Sequence, residues 1–251
     1  MGKAYFMSDA HLGLESRERE RMKVDRLVAF LDAVGRDGSE LFIVGDLFDA
    51  WFEYRTVIPK GFHRTLAALQ EFSDRGVKVH YLAGNHDFWV GEFFQKELGM
   101  ELHLNPFEIT LAGKRIFFHH GDGLAGNDRG YRLIKPVLRN RINIALYRWL
   151  HPDIGVKLAR GSSRSSRAYT ANKHYGEEEG MMECARQHIQ QGVDIVMMGH
   201  RHKPSILPID HGTYVNLGDW ITYNTYAELT DGTLQLKTWD GATGHIYADR
   251  S

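Results

Sequence analysis

Gly84-Asn85-His86-Asp87 follows the strand-like run Val77–Leu82 and precedes the aromatic pair Phe88-Trp89. A polar tetrapeptide at the end of a buried strand stands where α/β proteins place their chemistry, at the carboxyl edge of a sheet. By itself it reads more readily as a turn, because Gly and Asn accept positive φ and Asn and Asp cap helices. Four other strand ends carry the same kind of punctuation. They are Asp9-x-His11 after Lys3–Met7, Gly45-Asp46-x-x-Asp49 after Leu41–Val44, His120-Gly121-Asp122 after Arg115–His119, and Gly199-His200-x-His202 after Ile195–Met198. The recurrence favours one shared site over five separate turns.

The runs between these loops predict the fold class, α/β. Glu18–Val34 has helical spacing, with Val24, Leu27, Val28 and Leu31 on one face. A second helix is predicted from about Lys60 to Arg75, opened by Pro59 and closed by Gly76. This β-α-β-α-β rhythm calls for a largely parallel sheet with right-handed crossovers. Further on, a short helix is expected at Glu92–Leu98 and a hairpin at Phe107–Leu111 with Arg115–His119. Helical spacing runs from Tyr131 to Leu150, then a polar Ser-rich segment covers Gly161–Arg167, and a core helix follows at Glu177–Gln191. Short strands near Ser205–Ile209, Thr213–Asn216, Thr225–Leu229 and Thr233–Trp239 close the chain, with turns at His211-Gly212 and Asp231-Gly232. The expectation is one core, residues 1–123 and 176–251, interrupted by a basic and apolar helical cap at 124–175.

Charge sets that insertion apart. From Leu124 to Tyr175 there are eleven Lys/Arg and two Asp/Glu, a balance of +9 inside a chain whose net charge is -1. Such a block points to an anionic partner met on one side, where the plainer reading is a solvated helical face. No apolar run approaches the roughly 20 residues that span a bilayer, and the start, Met1-Gly2-Lys3-Ala4-Tyr5-Phe6-Met7, goes directly into a strand without the pattern of a signal peptide. The single cysteine, Cys184, allows no internal disulfide. A cytoplasmic location is the expectation.

The five strand ends offer carboxylate oxygen, amide oxygen and imidazole nitrogen. This donor set suits Mn²⁺, Fe²⁺ or Zn²⁺ better than an all-oxygen Ca²⁺ site. Asp9 with His11, and His200 with His202, stand at i and i+2, which face one side of a strand. Seven residues (Asp9, His11, Asp46, Asn85, His120, His200 and His202) are too many for one tetrahedral ion and would fill two sites if one carboxylate bridges. Two metals about 3.5–4 Å apart suit phosphate-ester hydrolysis. Asp49, Asp87 and Asp122 read as groups that orient ligands or cap the next segment. His63, His80, His103, His151, His174, His188, His211 and His245 read as ordinary packed or surface histidines, and His119 as packing beside its neighbour.

These five motifs, in this order from Asp9 to His202, resemble those of the calcineurin-like metallophosphoesterase superfamily. The resemblance implies a four-layer α-β-β-α sandwich, with Asp9, His11, Asp46 and His202 holding one metal. Asp46, Asn85, His120 and His200 would hold the other, and Asp46 would bridge. His86 matches the position that, in many members, contacts the phosphate and protonates the leaving oxygen. Within the superfamily the chain is similar to the UDP-2,3-diacylglucosamine hydrolase family. The stretches that carry this are Ser8–Leu12, Gly45–Trp51, His120-Gly121-Asp122 leading to Asp128-Arg129-Gly130-Tyr131, and the inserted helices. That family cleaves the pyrophosphate of its lipid-A precursor by water attack on phosphorus, usually with Mn²⁺, releasing UMP and 2,3-diacylglucosamine 1-phosphate.

The resemblance implies substrate contacts from Asn85, His86, Asp128 and Tyr131, with Arg164, Arg167 and Lys173 as looser candidates. It also implies an acylated UDP-sugar as partner and a peripheral place at the cytoplasmic face of the inner membrane through the cap. The chain departs from the family's better-known members at His86, where they carry Arg. A relative acting on another nucleotide-linked substrate or on nucleic acid is therefore the competing enzyme reading. Against nucleic acid stands the mixing of the insertion's aromatics with Leu, Ile and Val at helical spacing. A metal-holding scaffold without catalysis is the third reading.

Overall fold

The computed structural model describes residues 2–124, 129–170 and 177–248, with side chains for all of these except 129–132, 164–170 and 177. The first half runs β1 (Lys3–Met7), α1 (Arg17–Asp37), β2 (Gly38–Val44), α2 (His63–Asp74), β3 (Lys78–Leu82), α3 (Phe93–Lys96), β4 (Glu101–His103), β5 (Phe107–Leu111) and β6 (Lys114–His119). Then come α4 (Arg129–Leu138), α5 (Arg141–Tyr147), α6 (Pro152–Thr170) and α7 (Glu177–Gln190). The last part is β7 (Ile195–Met198), β8 (Ser205–Ile209), β9 (Gly212–Asn216), β10 (Thr225–Thr230), β11 (Thr233–Trp239) and β12 (Gly244–Ile246). No helix among the described residues is long and apolar enough to cross a membrane.

Two sheets result. One has the order β12-β11-β10-β1-β2-β3-β4 and the other β5-β6-β7-β9-β8. The strands that end at the five loops pair in parallel, β1 with β2, β2 with β3, and β6 with β7. Antiparallel strands fill the flanks, with β10 beside β1, β5 beside β6 and β8 beside β9. The sheets are thus mixed, as large sheets often are.

Strand alternation explains the layers. On β1, Ala4 and Phe6 pack between the sheets, whereas Tyr5 and Met7 pack toward α1. On β2, Phe42 and Val44 face inward while Leu41 and Ile43 face the helices. Across the gap, Phe118 and Met197 close the inter-sheet core, and Phe117, Val196 and Met198 turn outward onto Met181, Ala185 and Ile189 of α7. Both faces of these strands are covered, which is why they read as unbroken apolar runs. The architecture is a four-layer α-β-β-α sandwich, as the sequence resemblance implied.

The rings of Phe6, Phe42 and Phe118 stack at centroid distances of 5.0–5.9 Å and hold the two sheets together. Three details differ from the sequence reading. Tyr131–Leu150 is two helices, because Asn140 caps α5 by accepting the Ile142 N–H at 2.8 Å. The Ser-rich Gly161–Arg167 stretch is part of α6 and not a break, since Ser is only mildly unfavourable in helices. The short edge strands β4 and β12 were not expected. Phe118 tests the inter-sheet core: Phe118→Ala should cost about 3–5 kcal/mol, read as a lower denaturant midpoint at unchanged m-value.

Candidate metal centre

The loops after β1, β2, β3, β6 and β7 leave the same end of the sandwich, and their side chains meet. Asp46 Oδ2 lies 3.6 Å from His11 Nε2 and 3.2 Å from His120 Nε2. Asp9 Oδ1 lies 3.7 Å from His11 Nε2 and 3.6 Å from His202 Nε2. Asn85 Oδ1 is 3.0 Å from His120 Nε2, and the His200 ring stands 5.2 Å from that of His120. All seven residues singled out from the sequence are therefore in one cluster. Its donor atoms form two overlapping groups, Asp9, His11 and His202 on one side and Asp46, His120 and His200 on the other. His86 joins His11 and Asp46 in a third grouping.

Strand alternation is not what brings these pairs together. β1 stops at Met7 and β7 at Met198, so both pairs lie beyond the strands. Asp9, His11, Asp46, His200 and His202 all have φ between 42° and 69°. Left-handed backbone is uncommon for residues other than Gly and costs of order 1–3 kcal/mol where it is sparsely populated. Five instances among seven converging side chains mark a site that the surrounding structure forces into shape. The neighbouring glycines follow from the crowding. A Cβ on Gly84 would collide with Asp46 Oδ1, and one on Gly199 with Asp9 Oδ2.

Two of the imidazoles are held from behind. His120 Nδ1 is 2.9 Å from the Val44 carbonyl, which only accepts, so Nδ1 carries the proton and Nε2 is left for the cluster. His202 Nδ1 is 3.3 Å from Asp219 Oδ2, with the same consequence. Asp219 also accepts the N–H groups of Ile221, Thr222 and Tyr223, so its carboxylate is fixed before it holds His202. Asp87 accepts N–H groups from Asp46, Phe48 and Gly84 and the hydroxyl of Tyr81. It ties the β2 loop to the β3 loop. Burial, then the charge of Asp46, pushes Asp87 up to about 6 against those donors.

The electrostatics of the protein alone show what the cluster lacks. Burial opposes charge on His11 and His120, yet the carboxylates around them raise the two to about 9 and about 10. Burial, and then the charge on His120, lowers His200 to about 4. Asp46 is held well below the carboxylate range because, against burial, His120 and His86 favour its anion. Buried carboxylates thus call for positive charge between them. Asp9 Oδ1 and both ring nitrogens of His11 are buried without a hydrogen-bond partner. Orphaned donors of this kind, converging with two carboxylates and an amide oxygen, fit divalent metal ions.

The rim is built by the inserted helices. Ser163 of α6 donates to Asp49 Oδ1 at 3.1 Å and lies 2.9 Å from His86 Nδ1. Lys135 of α4 pairs with Asp122 at 2.6 Å, and Arg139 stands 3.6 Å from the same carboxylate while donating to Gly84 O at 3.2 Å. Part of the basic block is therefore spent on the chain's own acid and carbonyl groups. Asp49 and Asp122 tie the inserted helices to the loops, and His119 turns aside to accept the Gly121 N–H at 2.7 Å. Of the substrate candidates, Asp128 and Lys173 lie outside the described residues. Tyr131 falls in α4 and Arg164 and Arg167 in α6, and their side chains are outside the described set.

The model of the family described as calcineurin-like phosphoesterase matches residues 2–204. The chain belongs to this family. It is a metal-dependent hydrolase, and its Asp/His clusters are of the kind that hold divalent ions. A UDP-2,3-diacylglucosamine hydrolase of Porphyromonas gingivalis is 36% identical over 259 residues, covering 96% of this chain and 95% of that protein. One from Pseudomonas fluorescens is 34% identical over 243 residues, covering 93% and 94%. Among solved structures, the E. coli phosphoesterase YfcE gives a TM-score of 0.49 at 17% identity, with 96% of each chain covered.

Sequence reasoning missed Asp219 and Ser163. Asp219 carried a readable signal, since Gly218-Asp219 follows a strand end just as Gly45-Asp46 does. Nothing local marked Ser163, whose neighbours appear only when α6 folds over the loops. Asp219→Asn should lower Mn²⁺ affinity about 10–100-fold, read by equilibrium dialysis, with secondary structure unchanged. Unaltered affinity would remove Asp219 from its role in orienting His202.

Proposed function

We propose that this chain hydrolyses the pyrophosphate of UDP-2,3-diacylglucosamine, giving UMP and 2,3-diacylglucosamine 1-phosphate. The observation that carries the reading is the near full-length match to relatives bearing that name, 96% of this chain in the Porphyromonas gingivalis case, so that it takes in the helical insertion as well as the core. Residues 124–175 are the proposed cap. Leu133, Val137, Ile142, Leu146 and Trp149 of this segment are exposed, beside exposed Arg141 and Arg148. Exposed apolar side chains mixed with cations suit acyl chains and an anionic bilayer surface.

Two Mn²⁺ ions are proposed, one held by Asp9, His11, Asp46 and His202 and the other by Asp46, Asn85, His120 and His200. Asp46 Oδ2 already stands within 3.6 Å of ring nitrogens from both sets, which supports a bridging role. Bound ions of this type polarise a phosphoryl oxygen and lower the pKa of a water.

The protein's own groups do the rest. Asp49 O, an acceptor 3.1 Å from His86 Nδ1, fixes the proton on that nitrogen and leaves Nε2 for the phosphate. Burial presses His86 toward the neutral form in the free protein. An anionic phosphate beside it favours the imidazolium, so the proton for the leaving oxygen is taken up with the substrate.

Incubation with UDP-2,3-diacylglucosamine and Mn²⁺ should yield UMP by mass spectrometry. Absence of turnover on that substrate, together with fast cleavage of simple phosphodiesters, would transfer the chain to the competing enzyme reading that His86 keeps open. His86→Ala should lower kcat about 10²–10⁴-fold while bound Mn²⁺ stays constant. Parallel loss of metal would make His86 a ligand.

A further inference from the structure

A second cluster of metal-binding side chains lies away from the five loops. His80 of β3 pairs in register with Glu101 of β4, and Glu101 and His103 share one face of β4. His80 Nδ1 is 3.3 Å from His103 Nε2 and 3.6 Å from Glu101 Oε2, and His103 Nε2 is 3.4 Å from Glu101 Oε1. A tetrahedral ion with bonds of about 2.0–2.1 Å to nitrogen spaces its donor atoms roughly 3.3 Å apart. The two nitrogens therefore already stand at the edge length of such a polyhedron, and one oxygen of Glu101 lies within 4.8 Å of both.

The tautomer is also set. His80 Nε2 is 3.1 Å from Glu40 Oε2, and a carboxylate accepts, so the single proton of the neutral ring resides on Nε2 and the Nδ1 lone pair faces His103. A carboxylate behind a histidine is the usual partner of a metal-bound imidazole. Both rings are braced in place. His80 stacks on Phe42 at 4.3 Å with parallel planes, and His103 stacks on Phe107 at 3.6 Å. Burial lowers both histidines and so favours the neutral rings, each of which offers one nitrogen lone pair. The competitor is Lys78, 2.8 Å from Glu101 Oε2, but both of those side chains are about half exposed, and such pairs contribute little.

We propose that His80, His103 and Glu101 form a second metal site, outside the hydrolytic centre, for a borderline divalent cation of the Zn²⁺ type. Two nitrogens and one oxygen make three protein ligands, leaving a position for water. The ion would pin the three-residue edge strand β4 to β3. The main chain there is already joined by Ala83 N–H donating to His103 O at 2.9 Å, just ahead of Asn85. The site would act as a staple beneath the β3 loop.

The Glu101→Gln/His103→Gln double variant alters two side chains at the surface end of the cluster and none of the hydrolytic groups. Mn²⁺-loaded wild type and variant are dialysed against equal Zn²⁺, and retained zinc per chain is counted by mass spectrometry. Zinc that exchanges into the hydrolytic centre enters both proteins alike, so the difference reports the second site. The expected result is one more zinc per chain in the wild type, with equal hydrolytic activity of the two proteins before zinc is added. Equal zinc counts in the two proteins overturn the proposal.

Discussion

The carboxylate of Asp46 sits between the imidazoles of His11 and His120, fully buried, and the rest of the site is arranged around that fact. A buried anion must be compensated, and here the compensation comes from two loops at once. His11 follows β1 and His120 follows β6, so Asp46 spans the two sheets of the sandwich. Its own backbone is held by Asp87 from the β3 loop. Loss of this one carboxylate would leave imidazoles from two sheets facing each other with Asp9 as the nearer remaining counter-charge.

The layers exist to make that convergence rigid. Two sheets with both faces covered deliver five strand ends to one edge, and stacked Phe6, Phe42 and Phe118 leave little room for one sheet to slide on the other. Helices reinforce the loops individually. Lys23 of α1, itself buried, donates to His11 O at 2.8 Å, and Ser163 of α6 reaches Asp49 and His86. Backbone strain at Asp9, His11, Asp46, His200 and His202 is tolerated because these surroundings over-determine it. Hydrolytic chemistry and fold stability thus oppose each other locally, and the core supplies the difference.

Much of this was legible beforehand because local chemistry announces itself. Apolar four- and five-residue runs ending in Gly, Asp, Asn or His identify parallel strands and their functional ends whatever they later pack against. Gly218-Asp219 carries the same Gly-Asp punctuation after a strand, with no histidine within two residues of it. The helical spacing of Tyr131–Leu150 does not by itself mark the break at Asn140, where a side-chain cap starts α5. Ser163 could not have been found, since a serine on a polar helix face is unremarkable until a distant histidine lies against it.

By itself the sequence determined the strand ends, the donor types they carry and the basic character of the insertion. These depend on residue identity and short-range spacing alone. Tertiary structure decided which donors meet, which nitrogen of each histidine faces inward, and which cations of the insertion are consumed by Asp122. It also decided that Asp9 and His11, and His200 and His202, reach the site through left-handed backbone and not through strand alternation. The physical reason is that tautomer, charge state and strained φ are set by neighbours remote in the chain. The same holds for His80 and His103, ordinary histidines in the sequence, which become a candidate site only because parallel pairing sets β3 against β4.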